Sequence, residues 1–147
     1  MFCARSGFAT ALAGAAVLSL DPSLGAQAVR FKARLTPVPV ETSTVANITG
    51  TGSVTAALTG TTLSITGAFE GMKSPATLAQ IHLGPKGIRG PAEFDLTVTK
   101  GPAGTINGTL TLTPVQVDSL RKGWFYIQIH SEKAPDGNLW GWLVPQG

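Results

Sequence analysis

Apolar and polar residues alternate with a period of two over most of the chain after residue 28, and the clearest run is Trp124 to His130. Phe125, Ile127 and Ile129 fall on one face, and Trp124, Tyr126, Gln128 and His130 on the other. Such a strand turns its apolar face to a core and leaves the other free to carry chemistry. Pro135-Asp136-Gly137 predicts a turn, since Pro fixes φ, Asp bonds its own backbone and Gly accepts positive φ. Asn138 to Val144 then returns as the partner strand. Upstream, Val29 to Leu35 places Val29, Phe31, Ala33 and Leu35 on one face and basic residues on the other, a pattern that suits a sheet edge. Pro37 and Pro39 interrupt it, and Thr42 to Gly52 reads as a loop with a short strand. Ser53–Leu58 and Thr62–Phe69 are predicted strands joined by Thr59-Gly60-Thr61. Ala76–Leu83 is the next, with Leu78, Gln80 and His82 on one face, followed by Phe94–Thr99 and Thr105–Leu112. One helix is predicted to Lys122. Thr113 is its N-cap, Pro114 its first residue, Gln116 its capping-box partner and Gly123 its stop, with Val115 and Leu120 buried.

Seven or eight short antiparallel strands with regular turn signals and one short helix predict an all-β domain, a β-sandwich of Greek-key type, over residues 29–147. Composition agrees: Gly, Thr, Pro and Ala are abundant and only 13% of residues are charged. Residues 1–28 read as an export signal, with Arg5 before an apolar stretch from Phe8 to Leu20 and Ala26-Gln27-Ala28 as the cleavage site. A retained N-terminal anchor is the alternative. The expected location is secreted or periplasmic, or membrane-anchored facing the periplasm. The one cysteine, Cys3, lies in this leader, so a processed chain has no thiol for a disulfide, a nucleophile or a Cys-rich metal site. The net charge of +3 is spread singly along the chain, which argues against a nucleic-acid footprint.

His82 and His130 are the only histidines, and each follows a Gln two residues earlier on its own strand face, Gln80 and Gln128. Two strands presenting Gln-x-His suggest a shared site for Cu or Zn, yet a tight site takes three or four ligands. Glu70, Met72 or Asp136 would have to join them. The competing reading has both imidazoles bonded to backbone as structural residues, with no cofactor. The wet-side aromatics Trp124, Tyr126, Trp140 and Trp142 read either as cross-strand packing or as an exposed patch for a protein partner. The Gly84–Pro91 loop, with Lys86 and Arg89, is a weaker candidate for an anion nest. Hydrolytic chemistry fits poorly. There is no Gly-x-Ser-x-Gly elbow, few acids are available, and Ser131 and His130 point to opposite faces of one strand.

Three blocks together resemble the CHRD domain, first described in chordin and widespread in secreted bacterial proteins. They are Phe31-Lys32-Ala33-Arg34-Leu35 with Pro37-Val38-Pro39-Val40; Ala79-Gln80-Ile81-His82-Leu83-Gly84-Pro85; and Leu112-Thr113-Pro114 through Tyr126-Ile127-Gln128-Ile129-His130, Pro135-Asp136-Gly137 and Gly141-Trp142-Leu143. The resemblance implies an immunoglobulin-like β-sandwich and binding or structural work rather than catalysis. The chain departs from that pattern at Gln80, where relatives commonly carry a second histidine, at Gln128, where they often carry Asn, and at Gly137 to Trp142, where they usually read Gly-Glu-Ile-Arg-Gly-Gln. The expected function is an exported, non-catalytic accessory or scaffold domain that binds a protein at the cell envelope, including as a subunit of a membrane complex. The alternative is a small periplasmic Cu or Zn protein using His82 and His130.

Overall fold

A computed structural model describes residues 27–147. The predicted leader, 1–28, lies outside the described residues apart from Gln27 and Ala28. The strands are β1 (Val29–Pro37), β2 (Thr51–Thr59), β3 (Thr62–Glu70), β4 (Ala76–Leu83), β5 (Ala92–Val98), β6 (Gly104–Thr111), β7 (Phe125–Ser131), β8 (Ala134–Trp142) and β9 (Val144–Pro145). One helix, α1 (Pro114–Arg121), lies between β6 and β7.

All pairings are antiparallel, and their order runs β1-β2-β3-β6-β5-β4-β7-β8 and back to β1, with β9 added beside β1. The eight long strands therefore close into a barrel. This corrects the expected immunoglobulin-like sandwich. Two well-paired halves, β1-β2-β3-β6 and β5-β4-β7-β8, are joined at both sides rather than left as facing sheets. The two seams are short: Thr97↔Asn107 and Val98↔Ile106 at one, Thr36↔Trp140 and Pro37↔Leu139 at the other. Inward and outward residues alternate along a barrel strand as along a sandwich strand, so the pattern alone does not separate the two. Closure also means that β1 is not an edge. It pairs with β2 along its length and with β8 and β9 on its other side.

The interior takes one face of each strand. Phe31, Ala33 and Leu35 of β1, Val54, Ala56 and Leu58 of β2, and Leu63, Ile65 and Phe69 of β3 are all buried. Across the barrel stand Ala79 and Ile81, Phe125, Ile127 and Ile129, and Leu139. Burying each large side chain stabilises the fold by about 1.5–3 kcal/mol relative to exposure. The β2–β3 hairpin is closed by Gly60-Thr61, where Gly60 at φ +62° supplies the positive φ that a two-residue turn needs.

Helix α1 starts as its sequence dictates. Gln116 N–H donates to Thr113 Oγ1 at 3.2 Å, and Thr113 N–H donates to Gln116 Oε1 at 2.9 Å, a complete capping box. Leu120 is buried, but Val115 is 74% exposed, against expectation; the helix turns Ser119 and Leu120 inward instead.

The β7–β8 connection also differs from the predicted one. The chain reverses at Glu132-Lys133, and Ser131 pairs with Ala134. Pro135-Asp136-Gly137 lies within β8 as a bulge, because the next pair is Ile129↔Leu139 and His130 alone faces the intervening residues. The features that make Pro-Asp-Gly a turn signal also suit a bulge, where Pro loses no ladder bond and Gly137 takes φ +135°.

Candidate functional site

The outer wall of β4, β7 and β8 carries most of the residues singled out above. On β4 and β7 the facing pairs are Leu78↔His130, Gln80↔Gln128 and His82↔Tyr126; on β7 and β8 they are Gln128↔Trp140 and Tyr126↔Trp142. These residues point away from the barrel core because they alternate with Ile81, Ile127 and Ile129.

The wall is roofed rather than open. The loop after β4, Gly84–Pro91, folds back over it. Gly90 N–H donates to the Tyr126 hydroxyl at 2.9 Å, and that hydroxyl donates to Gly90 O at 3.3 Å. The indole of Trp142 donates to Gly84 O at 2.9 Å. A Cβ on Gly90 would overlap the carbonyl oxygen of Leu83, so only glycine allows the loop to lie this close. Loop amides are thus spent inside the fold: Gly84 N–H bonds Trp124 O and Ile88 N–H bonds Pro85 O. Those bonds take the Gly84, Ile88 and Gly90 amides out of any anion nest in the loop.

Under the roof, Tyr126 stacks on His82 at 5.0 Å between ring centroids and lies 4.6 Å from Trp142; Trp142 meets Trp140 edge-on at 4.8 Å. Tyr126 is 1% exposed and Trp142 9%. These two rings are therefore packing elements, not an exposed patch. Trp124 stands apart from the cluster. It is 39% exposed and its ring pairs with the Lys122 ammonium, 5.0 Å away.

His82 and His130 reach toward one another over the Gln80–Gln128 pair, with ring centroids 6.2 Å apart. Each is anchored through Nδ1 to a backbone oxygen, His82 to Gly90 O at 2.9 Å and His130 to Pro135 O at 2.7 Å. A carbonyl only accepts, so Nδ1 carries the proton in both rings. The two glutamines are engaged elsewhere: Gln80 donates to Asp95 Oδ1 at 2.8 Å and Gln128 to Asp136 O at 2.9 Å. Glu70 ends β3, and Met72 belongs to the barrel core. Among the described residues no three of His, Cys, Asp and Glu converge, so neither Glu70 nor Asp136 joins the histidines as a ligand.

Beside the aromatic cluster, where β8 separates from β1, the wall opens into a cleft of about 740 Å³. Trp140 and Trp142 line it from β8, Lys32 and Arg34 from β1, and Lys86 from the roof loop; no acidic residue does. The Arg89 guanidinium lies 5.6 Å from the centre of the Trp140 ring. Gly141 allows β8 to cross β1 here, since a Cβ would strike the backbone carbonyl of Arg34. Sequence reasoning treated these cations as scattered surface charge. The outward alternation of Lys32 and Arg34 was visible, but Lys86 joins them only through the loop's fold.

Ser131 and Asn138 were also missed as structural residues. Both are fully buried, Ser131 Oγ donates to Asn138 Oδ1 at 2.9 Å, and Asn138 Nδ2 donates to Thr49 O at 2.9 Å.

The CHRD domain family model matches residues 8–143, nearly the whole chain. Domains of that family are typical of extracellular or secreted proteins. No curated protein and no solved structure matches the chain. Among the described residues, no helix is long and apolar enough to cross a membrane.

Proposed function

We propose, for a chain that belongs to the CHRD domain family, an exported, non-catalytic accessory role in which the β1–β8 cleft binds an acidic segment of another protein at the cell envelope. The observation that carries this reading is the lining of the cleft: Lys32, Arg34 and Lys86 surround Trp140 and Trp142 with no carboxylate among them. A peptide with acidic residues around an apolar one meets both demands. Its carboxylates pair with the cations, and its apolar side chain covers the half-buried indole of Trp140, the residue type that most often dominates binding hot spots. Where the leader remains attached, the domain is held at the membrane as a subunit of a larger complex.

A binding role is favoured over a hydrolytic one by the state of the polar side chains. Both imidazoles are oriented by main-chain carbonyls rather than by a carboxylate, and Ser131 is buried and bonded to Asn138. The cleft cations form one small group rather than an extended stripe, which favours protein over nucleic acid.

Photo-crosslinking from Lys86 in native envelopes, with sequencing of the attached peptide, tests the reading. The expected result is one partner joined through a segment rich in Asp or Glu. Lys32→Glu with Arg34→Glu removes the product, whereas Lys73→Glu, outside the cleft, leaves it. Crosslinks that reach neutral or basic segments, or that survive the double reversal, contradict the proposal.

A further inference from the structure

The histidine pair has chemistry that partner binding leaves unused. With Nδ1 protonated and donating, Nε2 of each neutral ring carries a lone pair. Both Nε2 atoms are buried, and both are without a hydrogen-bond partner. An unsatisfied buried acceptor costs about 1–3 kcal/mol, so two in one small site favour an occupant that engages both lone pairs, either a metal ion or a hydrogen-bond donor. Fixing Nδ1 on a backbone carbonyl is also how proteins orient an imidazole whose other nitrogen binds a metal.

Distance and ligand count choose the ion. A metal about 2.0 Å from each Nε2, with each ring centre roughly 1.1 Å behind its nitrogen, holds two imidazole centroids at most about 6.2 Å apart, and closer when the angle at the metal bends. The observed separation is 6.2 Å. The rings thus stand at the upper limit of the spacing at which one ion can touch both Nε2 atoms, which leaves only a near-linear arrangement. Zn²⁺ requires four ligands and Cu²⁺ a tetragonal set, and the described residues offer no third His, Cys, Asp or Glu. Cu(I), a filled-shell monovalent ion, is stable between two nitrogens in line. Tyr126 stacked on His82 and the Gly84–Pro91 loop above it shield such an ion from solvent.

We propose that His82 and His130 bind one Cu(I) ion through their Nε2 atoms. The proposal stands independently of the partner cleft. Anaerobic titration of the full chain with Cu(I) against a chromophoric Cu(I) chelator tests it. The expected result is one ion per chain, with affinity lowered at least about 100-fold in His82→Gln and in His130→Gln, and no comparable uptake of Zn²⁺. X-ray absorption of the loaded protein should show two nitrogen neighbours only. If either variant fails to fold, ¹⁵N spectra of the wild-type imidazoles decide: Cu(I) should shift both Nε2 resonances and leave both Nδ1–H protons in place. Absence of uptake, affinity unchanged in the double variant, or unshifted Nε2 resonances overturns the proposal and leaves a bridging water as the occupant.

Discussion

Asn138 shows how much one side chain can hold. Its amide joins the β7 hydroxyl of Ser131 to the carbonyl of Thr49, which ends the long connection from β1 to β2. None of it is exposed. Truncation to alanine strands a buried hydroxyl and a partly buried carbonyl together, so Asn138→Ala should lower stability by about 1–3 kcal/mol. Urea denaturation with an unchanged slope would register it, and a loss below about 0.5 kcal/mol would show that the network is replaceable. Sequence alone hides this role, because Asn138 reads as the first residue of the returning strand and nothing in the pattern joins it to Ser131 or Thr49. The histidines were more legible. Their shared strand pattern with Gln80 and Gln128 marked one wall, and the rings do stand together there. What the pattern did not contain was the anchoring of each Nδ1, since Gly90 and Pro135 carbonyls reach the rings through a loop and a bulge.

At the scale of elements, the roof loop and the β8 bulge convert a wet sheet face into a half-buried site. Alternation in β7 correctly separated Phe125, Ile127 and Ile129 from Tyr126, Gln128 and His130. It did not reveal that Tyr126 and Gln128 would be buried too, because a covering loop has no period to read. Similarly, Pro135-Asp136-Gly137 carries local signals shared by turns and bulges, and only strand register decides between them. The roof depends on the Tyr126 hydroxyl, which both accepts from and donates to Gly90. Tyr126→Phe keeps the ring stack and removes those bonds. Amide exchange at Gly90 should accelerate roughly five- to tenfold, the effect of losing about 1 kcal/mol, while exchange in β2 and β3 stays unchanged. Equal exchange at Gly90 would mean that Trp142 and His82 hold the loop by themselves.

The whole molecule is a barrel closed by two short seams, and the second seam brings β1, β8 and the roof loop together around the cleft. Sequence pattern conveyed the strands, the capped helix and the buried face, but closure rests on a few residue pairs far apart in the chain, such as Thr36 with Trp140. The cleft was invisible for the same reason: β1, β8 and the roof loop meet only once the ring is complete. The most direct test of the account is to map a ligand onto that cleft. A short synthetic peptide of glutamates around one phenylalanine is titrated into ¹⁵N-labelled protein at low and at high salt. The account predicts shifts at Lys32, Arg34, Lys86 and the Trp140 indole that weaken as salt screens the charges. No shifts, or shifts centred on the opposite end of the barrel around Lys73 and Lys100, would contradict it.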